Sequence, residues 1–124
     1  MSKQVTTRTR SVVKHRAERN GWPLCERCGS ALGTNIHHRR PRGAGGRSDP
    51  ATNLPSNLLL LCGSGTTGCH GWIESHRTVG HRHGWLLNSW HNPLQMPVRI
   101  HDLGLVLLDD IGGMTPALPL GESA

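Results

Sequence analysis

Four cysteines and a group of histidines are the residues whose types and spacing can do chemistry in this chain. Cys25 and Cys28 sit in CERC, and Cys62 and Cys69 sit in LCGSGTTGCH after a gap of 33 residues. Four thiolates suit one closed tetrahedral zinc site, because zinc takes sulfur ligands readily and a structural site leaves no position open. The first pair has ordinary spacing. The second exceeds the usual spacer of about two to four residues. Its Gly-Ser-Gly-Thr-Thr-Gly insert predicts a chain that doubles back so that both thiolates still converge. A metal held in this way contributes folding energy rather than catalysis.

The histidines lie where a second, open metal site can form. IHHRRPRGAGG runs from 36 to 46, between the two cysteine pairs, and His70 follows Cys69 directly. His37 and His38 are adjacent, so on a regular strand they face opposite sides. Both serve one reaction only at a strand end or turn, which Pro41 and Gly43 allow. One imidazole can bind a metal while the other, neutral near pH 7, takes a proton from water. His70 and Glu74 are four apart, so a helix over CHGWIE sets both on one face. With His37 they form a three-ligand open site for a divalent ion. Asn57 is expected to tie the intervening loop through amide hydrogen bonds to backbone, and Asn53 competes for that role.

The elements that must position these groups are short. Residues 8–20, rich in helix formers and basic side chains, predict a helix stopped by Asn20-Gly21. Asn35–Arg40 reads as a short strand and Pro41–Pro55 as an irregular loop. LLLLC is a buried segment, and Cys69–Arg77 a short helix. Residues 85–90 and 97–109 read as strands, the latter turning at His101–Gly104. The tail 112–124 reads as loose. Trp72 fits either a packed core residue or an intercalating wedge.

The run CERC, IHHRRPRG, SNLLLLC and CHGWIESHR, over about residues 22–77, resembles the HNH endonuclease family, and most of all the short HNH proteins of tailed phages. The resemblance implies an α+β, zinc-stabilised domain with a ββα-metal (HNH, or His-Me finger) core, here flanked by an N-terminal basic helix and a C-terminal β-hairpin. It implies that His37 and His70 bind a catalytic divalent ion, that His38 is the general base, and that Asn57 pins the loop orienting that base. Glu74 stands where many members carry another histidine, so Glu74, water or a phosphate oxygen completes the shell. Cleavage of DNA to 5′-phosphate and 3′-hydroxyl ends is implied too. The ion could be Mg2+, Mn2+, Ni2+ or Zn2+.

The bounds agree. At 124 residues one domain is expected, with no Phe or Tyr and four Trp to fill its core. Small domains of this kind often depend on a metal. A net charge of +6 favours a polyanionic partner. Arg39, Arg40, Arg42 and Arg47 are the expected phosphate contacts, with Arg10, Lys14, His15 and Arg19 of the first helix as further candidates. DNA is the expected partner, with weak base specificity, and a monomer or weak dimer the expected state. The N-terminus lacks an apolar signal core, and no run is long enough to span a bilayer. A reducing cytoplasmic setting is therefore expected, where cysteine pairs bind metal more often than they form disulfides. Two other classes fit the same residues: a non-catalytic zinc module that binds nucleic acid, and a phage packaging factor acting with terminase subunits.

Overall fold

The computed structural model describes residues 4–41 and 50–117. Three α-helices and three small antiparallel sheets make up these residues, a mixed helix-and-sheet arrangement. No helix among them is long and apolar enough to cross a membrane.

Helix α1, Thr7–Arg16, begins where the Thr6 hydroxyl accepts the Thr9 N–H, an N-cap that satisfies one orphan donor. It ends short of the expected 8–20 span. Asn20-Gly21 is the turn of a small hairpin instead of a plain helix stop. Strand β1, Glu18–Arg19, pairs with β2, Trp22–Pro23, and both turn residues have positive φ, 54° and 83°. Asn-Gly tolerates that left-handed geometry, which two-residue hairpins require.

Strand β3, Asn35–His38, pairs antiparallel with β4, Leu58–Leu61, setting His37 opposite Leu59 and His38 opposite Leu58. All four leucines are buried because successive side chains serve two cores. Leu59 and Leu61 pack with Ile73, Trp85, Val98, Ile100 and Leu108. Leu58 and Leu60 pack with Val5, Val13 and Ala17 beneath α1. Helix α2, Gly68–Ser75, follows β4 and inserts Ile73 into the first core. A break at His76 then opens a second helix, α3, Arg77–Arg82, which was not expected.

Residues 85–90 form no strand. The Trp85 and Leu86 N–H groups donate to the Gly80 carbonyl at the end of α3, and Leu87 donates to Arg39. With those donors engaged, no ladder can form. The expected C-terminal hairpin is present as β5, Val98–Ile100, and β6, Gly104–Leu108, and a third strand, β7, Met114–Pro116, extends it. The start of the predicted loose tail is thus held in a sheet. Residues 118–124 lie outside the described residues.

Buried polar groups substitute for missing aromatic mass. Arg16 forms a forked pair with Glu26, at 2.9 and 2.7 Å, with both side chains almost fully shielded. Arg16 also donates to the Pro55 and Leu58 carbonyls, and Glu26 accepts the Leu60 N–H at 2.9 Å. The pair therefore clamps α1, the first cysteine knuckle and β4. Glu26→Ala leaves a buried guanidinium without its counter-charge and an orphaned strand N–H. It should cost about 3–5 kcal/mol of unfolding free energy in urea titrations, while an apolar Arg16→Met, Glu26→Leu double variant recovers much of the loss.

Candidate metal centres

Cys25 and Cys28 lie on the turn after β2, Cys62 follows β4, and Cys69 sits in the first turn of α2. The chain brings all four Sγ atoms within 4.8 Å of one another. All four cysteines are free, and Cys28 and Cys62 sulfurs stand 4.0 Å apart. That is far beyond a disulfide bond and close to the edge of a zinc–thiolate tetrahedron, about 3.8 Å for zinc–sulfur bonds near 2.3 Å. The donor set and its closure fit a structural metal ion. The stretched second knuckle closes as its glycines suggest. Gly63 and Gly68 have φ of 86° and 62°, and Ser64 bridges Thr67 between them. A Cβ at either glycine would collide with the backbone of the other arm.

Burial would raise the Cys28 thiol, yet the Ser30 N–H and the neighbouring sulfurs hold it down at about 7. Burial pushes Cys69 up to about 12, against the pull of the Arg27 N–H.

The second cluster joins β3 to α2. Ligand atoms of His37, His70 and Glu74 also lie within 4.8 Å of one another. His37 Nε2 is 2.7 Å from the Trp85 carbonyl, which can only accept, so Nε2 carries the proton and Nδ1 keeps its lone pair. That Nδ1 stands 3.8 Å from Glu74 Oε2. His70 Nδ1 faces Asn35 Oδ1 at 3.3 Å, which leaves Nε2 for a ligand, and Asn35 is itself fixed by donating to the Gly63 carbonyl at 2.6 Å. The other Glu74 oxygen accepts from Arg77 at 2.8 Å. Two imidazoles and a carboxylate, each oriented from behind, fit an open three-ligand site for a divalent ion. They line an open cleft of about 240 Å³ with His38, Pro41 and Arg77.

The loop residues divide their labour. Asn57 is fully buried, and its amide donates to the Arg40 and Thr52 carbonyls while its oxygen accepts the Arg40 N–H at 2.7 Å. Asn53 instead reaches His38, with Oδ1 2.8 Å from Nε2. Both asparagines are used, for different ends.

The expected phosphate contacts need correction at Arg39. Its side chain is fully buried, and its guanidinium donates to the Gly84, Ser56, Pro93 and Met96 carbonyls. Burial draws its pKa down to about 9, so it stays charged at neutral pH, as a structural tie that phosphate cannot reach. Arg40 is half-buried and donates to the His91 carbonyl at 3.2 Å. Arg42 and Arg47 lie outside the described residues. Trp72 packs on the core, stacked with His76 at 4.0 Å. Among the first-helix candidates, Arg19 pairs with Asp102, while Arg10 lines a polar groove that shares His38 with the cleft. Sequence reasoning missed Asn35, Arg77 and Trp85. Trp85 offers only its carbonyl, which no sequence motif marks. Arg77, one helical turn after Glu74, was visible as an i,i+3 partner.

Comparison with known proteins finds no matching family, no matching curated protein and no matching solved structure.

His37 is held near a pKa of about 4. Burial is the main cause, His70, His38 and Arg39 push the same way, and the Trp85 carbonyl opposes them. A histidine in the unfolded chain titrates near 6.5. Between these values the unfolded chain binds more protons than the folded one. The stabilising contribution is therefore intact above about pH 6.5 and is lost as pH falls toward 4, by about 3 kcal/mol in all. With the cysteine site zinc-loaded and no other divalent ion added, His37→Asn should flatten the pH dependence of urea unfolding in that window. An unchanged slope would mean that His37 is protonated in the folded protein.

Proposed function

We propose that this chain is a metal-dependent endonuclease of the HNH type, hydrolysing phosphodiester bonds in DNA with weak sequence preference. The observation that carries the reading is the convergence of His37, His70 and Glu74 on one cleft that His38 also lines. The order hairpin β3–β4 then helix α2, with a cysteine cluster at its base, supports it further.

The residues suggest a division of roles. His38 is the general base: Asn53 accepts its Nε2–H, so Nδ1 is the nitrogen that takes a proton from water. Asn57 holds the loop ends together so that His38 keeps its place at the end of β3. A divalent ion bound by His37, His70 and Glu74 would supply polarisation of the phosphate and stabilisation of the leaving oxygen. Arg77, exposed at the cleft rim, and Arg10, in the adjoining groove, are the proposed contacts to flanking phosphates. DNA is the proposed partner. A role beside phage terminase subunits is compatible with cleavage.

Plasmid nicking beside calorimetric metal titration tests these roles together. His38→Ala should leave metal affinity nearly intact and slow cutting by about 10²–10⁴-fold, a loss that added metal cannot repair. His37→Ala should weaken metal binding, with cutting partly restored by excess ion. Glu74→Ala should weaken it as well, and an unchanged affinity would hand that position to water or DNA. If His37→Ala and His38→Ala both cut as well as the parent, the chain is a zinc-stabilised nucleic-acid-binding module instead.

Binding to duplex DNA should be salt-sensitive. Log affinity should fall linearly with log salt by about 0.9 for each phosphate neutralised, and Arg10→Ala should reduce the slope by about one. A slope that Arg10→Ala leaves unchanged would take the adjoining groove off the DNA path.

A further inference from the structure

Arg27 lies between two metal ligands in CERC, and nothing in the proposed catalytic cycle uses it. Its guanidinium sits 4.0 Å from the centre of the Trp72 ring and 4.9 Å from that of Trp85. One nitrogen, Nη1, donates to Cys69 Sγ at 3.2 Å. Another, Nε, is buried with no hydrogen-bond partner, the one such side-chain atom among the described residues. No carboxylate among the described residues lies within ion-pair distance of it. A half-sheltered cation without a counter-charge is costly, and two aromatic faces offset only part of that cost.

The neighbouring sulfurs supply the missing charge once a metal is present. A divalent ion that binds four thiolates releases their protons and leaves the cluster with a net charge of −2. We propose that Arg27 is the counter-cation of the metal-loaded cysteine cluster, and that through Cys69 it also positions the start of α2. It halves the excess charge and directs an N–H at a ligand sulfur, the kind of contact that tunes metal–thiolate sites from outside their ligand set. The same side chain touches Trp85, whose carbonyl holds His37, and Cys69, whose neighbour is His70. Arg27 thus touches one residue that serves each cluster.

Charge and packing can be separated in the full-length, zinc-loaded protein. Zinc transfer to a chromogenic chelator reads retention directly. Arg27→Met keeps an apolar stem on the tryptophans and removes the charge; it should weaken zinc binding by about 10–100-fold, the usual cost of losing an outer partner. Arg27→Lys keeps the charge and should hold zinc much nearer to the parent. With cobalt(II) in place of zinc, the sulfur-to-metal charge-transfer band should shift in Arg27→Met and stay close to the parent in Arg27→Lys. If Arg27→Met fails to fold, Arg27→Gln, planar and uncharged, takes its place in the same comparison. Equal zinc retention by the charged and uncharged variants, or a parental rate in Arg27→Met, would overturn the proposal and leave Arg27 as packing between two tryptophans.

Discussion

The first turn of α2 is bound on both sides at once. Cys69 must reach three other thiols, and His70, the next residue, must reach His37 across the β3–β4 hairpin. Consecutive helical residues diverge by about 100° around the axis, so one helix orientation has to satisfy both. Backbone bonds show how it is held. The Cys69 N–H points at Cys62 Sγ and the His70 N–H donates to the Cys62 carbonyl. Closing the cysteine cluster therefore sets the azimuth of α2. Glu74, one turn further, then faces the same cleft as His70.

The other half of the cleft depends on buried polar ties. With no phenylalanine or tyrosine, the interior relies on guanidinium and amide groups that bond to carbonyls of irregular segments. Arg39 gathers carbonyls from three separate stretches, and Asn57 closes the two ends of the loop after β3. Such bonds contribute modestly while intact, and leaving one end unsatisfied costs the full desolvation of the other. That asymmetry makes them good at enforcing one loop geometry. His38, the last residue of β3, directly precedes the two residues these ties hold, Arg39 and Arg40.

The cysteine and histidine clusters were legible because ligand chemistry leaves its spacing in the sequence. C-x2-C, a doubled histidine and His-x3-Glu each restrict geometry before any fold is known. The α1 stop was less legible, since Asn-Gly ends helices and turns hairpins by the same left-handed geometry. Arg39 was misread because a basic run beside glycines looks solvated. Strand alternation carried the correction: if His37 faces inward, so does the residue two positions on, and His37 and Arg39 are both buried while His38 and Arg40 are partly exposed. α3 and β7 had little local signal. RTVGHR carries a β-branched pair and a glycine, and MTP ends in a proline, so tertiary packing decides both.

The two asparagines show how one loop can separate position from electronics. Asn57 acts on backbone alone and sets where β3 ends. Asn53 acts on an imidazole and sets which nitrogen keeps its lone pair. They lie four residues apart on consecutive short helical turns, Pro50–Asn53 and Pro55–Asn57, so the same segment carries both functions. Asn57 also accepts the Arg40 N–H and donates to the Thr52 carbonyl, next to Asn53. The tie thus joins the residues that follow His38 to the turn that carries Asn53. A change at Asn57 removes backbone ties at Arg40 and Thr52, whereas a change at Asn53 removes the acceptor that faces His38 Nε2.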